Sequence, residues 1–321
     1  MQSALKQAPQ QQPVASVTRM RLDQVQRGKR VEPHKLIVYG TPGIGKSSFA
    51  ADAPAPLFLD AERGTSKLDV ARFPVPETWQ DVLDAIHELE TADHPYKTFV
   101  IDTLDHLEPL LWAKVCADAG VRSIDDVGGG YGKGYTAATD GWRLMLSGLE
   151  RLHRKGMNII MLAHSWIRPF KDPQSEGFDR YELKLNNKAA GLLKEWADTV
   201  LFANHETFAT TDKRTKRVRG VSTGARFLYT THTAAYDAKS RSSLPEAIPL
   251  KWFEYEGAVQ ANRTAAPEVL KEQVETAGLK LSAELQKQTA DYLAKAGDDA
   301  TKLAKLLDWV NAKLINQGDA Q

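Results

Sequence analysis

The sequence predicts a doubly wound α/β domain in which helices flank a mostly parallel central sheet. The first observation behind this prediction is a series of short apolar runs, each of a length typical of a strand buried on both faces. The second is that segments with helical spacing of apolar residues lie between these runs, which argues against an all-β fold. The runs cover residues 36–39, 57–59, 99–101, 159–162 and 200–202.

The clearest of the predicted helices covers residues 141–155. Its apolar residues recur every three or four positions and therefore share one face, and Gly156 follows as a stop signal. That face consists of Trp142, Met145, Leu146, Leu149 and Leu152. Its place between two apolar runs fits the alternation of strand and helix in a doubly wound sheet.

Beyond residue 202 the pattern predicts antiparallel strands at one edge of the sheet. Two β-like stretches, residues 217–222 and 226–230, are flanked by turn residues near Asp212 and Gly224. Residues 267–316 have helical periodicity and predict a small C-terminal appendage. Its apolar stripe is expected to pack on the core or on the appendage itself, and consists of Leu303, Leu306, Leu307, Val310 and Leu314.

Composition and the first residues limit the class of protein and its cellular location. Lys and Arg number 42 and Asp and Glu 41, so any binding of nucleic acid needs a local patch rather than bulk charge. Cys116 is the single cysteine, which excludes an intramolecular disulfide framework and a cysteine-rich zinc site. The apolar runs are too short for a membrane helix. Residues 1–20 are rich in Gln, Ala and Pro and predict a disordered leader rather than a secretory signal. We therefore expect a cytoplasmic protein, with a main domain over residues 21–260 and a helical appendage over 261–321.

A phosphate-binding loop is predicted at residues 40–47, which fit G-x-x-x-x-G-K-[ST] at every fixed position. An apolar strand precedes the loop and a helical start follows it, as the motif requires. The glycines allow successive backbone N–H groups to point at phosphate oxygens; Lys46 would bridge the β- and γ-phosphates of ATP, and Ser47 would bind Mg²⁺. The predicted nucleotide contacts are Gly40, Thr41, Pro42, Gly43, Ile44, Gly45, Lys46, Ser47 and Ser48.

Two carboxylates at predicted strand ends are candidates for phosphoryl chemistry. Asp102 ends the run at residues 98–102 and is a candidate Mg²⁺ ligand, the alternative being a helix N-cap. In many ring-forming ATPases a Glu follows this Asp directly, whereas Thr103 stands here. Glu62, just after the second strand, is then the candidate catalytic base, because strand ends beside the phosphate loop converge on the ligand. The alternative for Glu62 is a solvated Asp/Glu pair on a loop.

A further polar residue ends the fourth predicted strand. His164 follows residues 158–163, where a side chain can contact the γ-phosphate and transmit its loss to the next loop. The alternative is a histidine with a structural role only.

Together these residues resemble the RecA-type recombinase ATPase core. More closely, they resemble the phage-encoded single-domain group known as phage nucleotide-binding or AAA-domain proteins, which is related to Sak-type recombinases. The resemblance covers residues 21–255 and depends on the phosphate loop, LFLDAERG with Glu62, FVID with Asp102, and IIMLAHS; YGKGY at residues 131–135 is also similar. RecA itself has Gln where this chain has His164, and no separate DNA-binding module is recognisable.

The resemblance implies ATP- and Mg²⁺-dependent action on single-stranded DNA in phage recombination or replication, by strand annealing or exchange, in a bacterial host. It also implies a homo-oligomer, as ring or filament, and a single-strand-binding protein is a further candidate partner. Lys239 and Arg241 resemble the Lys/Arg pair that RecA-like assemblies insert into a neighbouring subunit's nucleotide site. The alternative for this pair is a solvated basic turn.

Three segments are candidate DNA contacts. The glycine-rich residues 128–134 offer Tyr131 for stacking and Lys133 for phosphate. Residues 165–187, predicted as a loop, interleave aromatic and basic side chains, although Trp166 and Phe170 packing on the domain is an equal alternative. The side chains expected at DNA in that loop are Trp166, Arg168 and Lys171. A third, basic patch, which could also be a plain solvated surface, comprises Lys213, Arg214, Lys216, Arg217 and Arg219.

Two other functions use the same predicted nucleotide site. One is a helicase-like motor or helicase loader, and the other is an adaptor in which ATP controls partner binding with negligible turnover. A small-molecule kinase is less favoured, because the sequence has no Arg-rich lid and no acceptor-pocket signal.

Overall fold

A computed structural model describes Val25 and residues 31–171, 177–211, 218–242, 244–263 and 267–318. Contacts within the chain separate Met1–Val31 from a compact unit, Glu32–Gln321. All strands and helices that the structure describes lie in the second unit. The predicted leader, residues 1–20, lies outside the described residues, and the predicted domain limits stay a prediction.

The predicted α/β fold with a mostly parallel sheet is confirmed. The strands of the described residues are β1 Lys35–Gly40, β2 Pro56–Asp60, β3 Ala71–Arg72, β4 Thr98–Asp102, β5 Asn158–Phe170, β6 Phe178–Leu183, β7 Thr199–Thr211, β8 Val218–Tyr229, β9 Lys239–Ser240 and β10 Ala247–Pro249. They form a ten-stranded sheet in the order β10-β8-β7-β1-β5-β4-β2-β3, with β6 paired to β5 and β9 to β7. The five central pairings, from β7 to β3, are parallel, and those of β6, β8, β9 and β10 are antiparallel.

Helices cover both faces of this sheet. Short 3-10 helices at Gly64–Lys67 and Ile124–Gly129 accompany the α-helices. In the described residues the α-helices are α1 Lys46–Ala51, α2 Trp79–Thr91, α3 Leu104–Ala119, α4 Lys133–Arg154, α5 Asn187–Trp196, α6 Trp252–Arg263, α7 Pro267–Gly278, α8 Ala283–Ala296 and α9 Ala300–Gly318. None of the helices that the structure describes is long and apolar enough to cross a lipid bilayer.

The two faces of β1 enter two different apolar clusters, which explains why this strand reads as a continuous apolar run. Ile37 and Tyr39 join one cluster with side chains of α2, α3 and α4. Leu36 and Val38 join the other with side chains of α1 and α6. β1 is therefore the centre of a three-layer core, and the loop that follows it is attached to the most deeply buried strand.

Two predictions about local structure are wrong at their boundaries. The helix predicted over residues 141–155 is α4, which already begins at Lys133. Its first turn packs so closely on the Ile124 carbonyl that a Cβ at Gly134 would lie 2.0 Å from that oxygen. The two β-like stretches around Gly224 form the single strand β8, and no turn separates them. Gly224 has a φ of 80° beside a register shift against β7, so it marks a β-bulge.

The predicted loop over residues 165–187 is largely a β-hairpin. β5 continues past the sheet as far as Phe170 and pairs antiparallel with β6, from Ser165 with Leu183 to Phe170 with Phe178. The Pro and Gly content that suggested a loop is concentrated near the hairpin tip, whose residues 172–176 lie outside the described part.

The C-terminal appendage is present, as α7, α8 and α9. The predicted stripe of α9 packs within the appendage: Leu303, Leu306 and Val310 are buried against side chains such as Leu270 and Val274 of α7. The stripe is therefore satisfied by intramolecular contacts.

Candidate nucleotide site

The predicted phosphate loop follows the carboxyl end of β1. Gly40, the last residue of β1, lies so close to β7 that a Cβ there would be 2.2 Å from the Ala203 carbonyl oxygen. Gly45 has a φ of 113°, a conformation that favours glycine. Ile44 buries its side chain in the core, so only its backbone is available to a ligand. The loop thus exposes mainly backbone groups to a ligand, and its position is fixed by β1, β7 and α1.

Lys46 lies inside this loop. Its side chain is buried, and Nζ donates hydrogen bonds of 3.2 Å to the carbonyl oxygens of Gly40 and Thr41. Burial lowers the pKa of the ammonium group, while the charges of Asp102 and Glu62 oppose this shift. A desolvated cation whose two hydrogen bonds in the described residues go to loop carbonyls is well placed to hold phosphate oxygens.

Ser47 and Asp102, beside Lys46, supply two side chains whose oxygens could bind a metal ion. The Ser47 hydroxyl donates to Asp102 Oδ2 at 2.6 Å, whereas the buried Asp102 Oδ1 has no hydrogen-bond partner among the described residues. Burial raises the pKa of Asp102 to about 6. Mg²⁺ prefers oxygen ligands, and a cation here would satisfy the orphaned oxygen and favour the charged carboxylate. These residues therefore fit Mg²⁺.

Asp60 at the end of β2 and Glu62 just after it have different surroundings. Buried Asp60 accepts from the backbone N–H groups of Gly64 and Thr65 at 3.0 Å and from the Thr65 hydroxyl at 2.5 Å. It is therefore engaged in shaping its own turn. The Glu62 side chain is 34% exposed, and its Oε1 lies 3.6 Å from His164 Nε2. Glu62 is the carboxylate of this pair that faces the cavity.

His164 is held by a residue that sequence reasoning missed, Asp105 in the first turn of α3. The Asp105 carboxylate accepts from the His164 backbone N–H and from Nδ1, both at 2.9 Å. Burial favours protonation of Asp105, but the bonds from His164 outweigh it and lower the Asp105 pKa to about 2. The imidazole is thereby oriented with Nε2 towards Glu62.

One cavity of about 330 Å³ brings together most of the predicted catalytic residues. Asp102 lies beneath it through its bond to Ser47. The lining residues are Gly43, Gly45, Lys46, Ser47, Ser48, Glu62, Gly64, Lys67, Leu68 and His164. Their convergence follows from the register, in which Gly40 is level with His164 of β5, and Asp102 is level with Leu162.

Arg226 of β8 also contacts the loop, and sequence reasoning missed it. Its Nη1 donates to the Ile44 carbonyl at 3.1 Å, and a Cβ at Gly45 would lie 2.8 Å from this nitrogen. No carboxylate in the described residues forms an ion pair with Arg226. Arg226 is 182 positions from Ile44 and belongs to no motif around the loop, so the contact could be recognised only in the folded structure.

We expect Arg226→Ala to weaken ATP binding about tenfold, because hydrogen bonds to charged groups contribute roughly 1.5–3 kcal/mol and the loop would lose its restraint. Arg226→Lys should recover part of the loss. ATP dissociation constants from calorimetry check this, with Arg143→Ala, an exposed arginine of α4, as control. Equal affinities in all variants would contradict the prediction.

Lys239 and Arg241 lie away from the chain's own cavity. Lys239 is level with Val200 near the start of β7, whereas the phosphate loop follows the opposite end of the parallel strands. Arg241 Nη1 pairs with Asp198 at 2.7 Å, and Lys239 Nζ donates to the Lys194 carbonyl at 2.5 Å. The pair therefore has no contact with the nucleotide cavity of its own chain.

The candidate DNA residues occupy two neighbouring segments. On the hairpin, the Arg168 guanidinium stacks 3.8 Å from the Trp166 ring and donates to Asn187 in the first turn of α5. Tyr131, with a φ of 57°, is fully exposed beside the start of α4. Lys188 of α5 also donates to Thr136 of α4, so both segments adjoin the same turn of α5.

The other candidate DNA residues differ in their contacts and exposure, and some lie outside the described residues. Lys133 donates to the Gly128 carbonyl at 2.9 Å, and Lys171 is exposed at the end of the hairpin strand. Phe170 packs against Phe178 and under Arg180. The patch residues Lys213, Arg214, Lys216 and Arg217 lie outside the described residues.

Fold and cavity define a class of protein. A Gly- and Lys-containing loop after a central parallel strand, with an Asp ending another strand beside it, is the arrangement of P-loop nucleotide hydrolases. Residues 32–242 match the family model of the AAA domain, and the chain belongs to the AAA-domain family. It is a P-loop ATPase of the AAA-domain kind.

The individual proteins to which this chain is similar share little sequence identity with it. The SPbeta prophage-derived protein YorG of Bacillus subtilis (strain 168) is 25% identical over 141 residues, which are 43% of this chain and 42% of YorG. The match thus spans less than half of the curated relative. The flagellar accessory protein FlaH from Methanocaldococcus jannaschii has a TM-score of 0.32 at 11% identity, over 68% of this chain and 85% of FlaH. The RadB recombinase has a TM-score of 0.34 at 11% identity, over 62% of this chain and 89% of RadB.

Proposed function

We propose that this ATPase couples ATP hydrolysis to binding of single-stranded DNA in phage recombination or replication. The observation that carries the proposal is the continuity of β5, which bears His164 at the nucleotide cavity and Trp166 and Arg168 on the hairpin beyond it. YorG is prophage-derived, which supports a phage or prophage origin for this chain. Annealing and strand exchange are the reactions that this activity would serve.

In the proposed reaction, the loop amides and Lys46 hold the triphosphate of ATP. Mg²⁺, held by Ser47 and Asp102, would neutralise phosphate charge. Glu62 orients a water molecule and takes its proton while the water oxygen bonds to the γ-phosphorus and the bond to the bridging oxygen of ADP breaks. The products are ADP and phosphate, and Lys46 stabilises the charge that develops on the leaving oxygen.

His164 is the proposed link between the nucleotide and the hairpin. Its backbone and ring are both held by Asp105, and its Nε2 lies 3.6 Å from Glu62 Oε1. A shift of Glu62 on loss of the γ-phosphate would therefore be transmitted to β5. Because Trp166 is two residues further along the same strand, the hairpin would respond directly.

The proposed DNA surface combines the hairpin with the segment around Tyr131. A fully exposed tyrosine at the start of α4 and a Trp–Arg stack on the hairpin would supply the flat faces on which unpaired bases stack. Lys171 and Lys133 would contact phosphates, as would the basic patch over residues 213–219.

We further propose a homo-oligomer in which Lys239 and Arg241 reach the nucleotide of a neighbouring molecule. Their distance from the chain's own cavity supports action in trans, since they cannot serve the site of the same chain. The ion pair of Arg241 with Asp198 would have to open for this contact.

Single-stranded DNA should accelerate ATP hydrolysis, and Tyr131→Ala should weaken DNA affinity by ~1–3 kcal/mol, the contribution of one stacked base. Steady-state ATPase rates with and without DNA, and DNA binding by fluorescence anisotropy, measure both effects. Tyr292→Ala, a half-exposed tyrosine of the C-terminal appendage, is the matched control. A rate unchanged by DNA would rule out the recombinase function.

A further inference from the structure

A cluster of metal-binding side chains adjoins the nucleotide cavity and is separate from Ser47 and Asp102. Glu62, His106 and His164 each present one ligand atom, and these three atoms lie within 4.8 Å of one another. The residues come from the turn after β2, the first turn of α3 and β5. His164 is buried, while Glu62 and His106 are exposed, so an ion could enter from solvent.

His164 is prepared to act as a ligand. Its Nδ1 lies 2.9 Å from Asp105 Oδ2, and since a carboxylate only accepts, Nδ1 carries the proton. In the neutral ring, Nε2 then carries the lone pair, 3.6 Å from Glu62 Oε1. A carboxylate that holds the far nitrogen of an imidazole is the usual support of a metal-bound histidine.

His106 is oriented in the same way. Its Nδ1 lies 2.8 Å from Thr103 Oγ1 and 3.6 Å from Asp105 Oδ2. Because a carboxylate only accepts, the proton of the neutral ring belongs on Nδ1 and its lone pair on Nε2. The Asp105 carboxylate thus faces Nδ1 of both rings, whose centroids are 6.0 Å apart.

We propose that Glu62, His106 and His164 bind a divalent transition-metal ion of the Zn²⁺ type, and that this ion inhibits ATP hydrolysis. Two imidazole nitrogens and one carboxylate oxygen match zinc, whereas Mg²⁺ takes oxygen ligands and belongs with Ser47 and Asp102. Ligands ~2.0–2.2 Å from a tetrahedral zinc are ~3.3–3.6 Å apart, and His164 Nε2 lies 3.6 Å from Glu62 Oε1.

Inhibition follows from the identity of the ligands and rests on the proposed function. Glu62 bound to zinc is a much weaker base for water, because the ion withdraws negative charge from its carboxylate. His164 bound to zinc is tied to Glu62 and cannot respond to the γ-phosphate. The ion would act as a brake on turnover without blocking the phosphate loop, since Lys46 and the loop amides are not ligands.

The direct test is calorimetric titration of the full chain, free of nucleotide, with zinc chloride. We expect one zinc per chain, and an affinity that falls about tenfold or more in His106→Ala, as loss of one ligand or its support typically causes. His87→Ala, an exposed histidine of α2, should bind zinc as the wild type does. No binding, or equal binding by His106→Ala, would overturn the proposal.

The functional test adds buffered free zinc to an ATPase assay with Mg²⁺ in excess. Wild type should slow, recover on chelation, and need about tenfold less zinc than His106→Ala, whose zinc-free rate should match wild type. Zinc that binds through His106 yet leaves turnover unchanged would overturn the inhibitory role. If the zinc-free wild type lacks ATPase activity, the proposed function fails, while calorimetry still decides the metal site.

Discussion

Lys46→Ala should lose at least about 100-fold in ATP affinity, or ~3 kcal/mol, because it removes a desolvated cation from the centre of the phosphate loop. The effect should be large since burial has already removed the ammonium group from water, as its lowered pKa indicates. A phosphate oxygen would replace the carbonyls of Gly40 and Thr41 as its partner. Binding of a fluorescent ATP analogue measures the loss.

Two controls separate this effect from a folding defect. Lys280→Ala removes an exposed lysine between α7 and α8 and should bind ATP as the wild type does. Lys46→Met keeps the aliphatic stem that fills the loop and should be as defective as alanine if the charge is what binds. Unchanged ATP affinity in both Lys46 variants, with an unchanged unfolding midpoint, would disprove the nucleotide site.

Glu62→Gln should bind ATP normally and lose about 10²- to 10⁴-fold in turnover, the usual contribution of a positioned general base. Glutamine keeps the shape and the neighbourhood of His164 but cannot accept a proton. Single-turnover hydrolysis measures the chemical step, and ATP affinity is measured separately. Glu88→Gln, an exposed glutamate of α2, is the matched control.

The outcome for Glu62 also distinguishes between the rival functions. An adaptor with negligible turnover would show equally low rates for the wild type and for Glu62→Gln. A full rate in Glu62→Gln, with a fast wild type, would assign the base to another residue. Loss of ATP affinity together with turnover would indicate that Glu62 acts on binding.

Much of the fold could be predicted because parallel strands buried on both faces leave a local mark in the sequence. β1, β2 and β4 are short apolar runs that end at Gly40, Asp60 and Asp102. The phosphate loop is likewise a contiguous motif. Strand-end residues could be grouped before folding was known, because parallel strands bring their carboxyl ends to the same edge.

The errors have a common cause in contacts that are distant along the chain. The hairpin of β5 and β6 was predicted as a loop because its aromatic and basic residues lack a clear period. Gly224 was predicted as a turn, although a glycine at a bulge and one at a turn look alike in sequence. Asp105 was missed because an Asp in the first turn of a helix is ordinary.

By itself, then, the order of residues determined the parallel sheet, the phosphate loop, the position of Asp102 at the end of β4 and that of Glu62 just after β2, since each depends on neighbours in the chain. The strand end predicted at His164 is wrong, because β5 continues through it to Phe170. Tertiary structure alone decided which side chains meet: Asp105 with His164, Arg226 with the loop, and His106 with Glu62. These residue pairs are between 44 and 182 positions apart in the chain. No local sequence pattern indicates that they are close, because it is the sheet that brings them together.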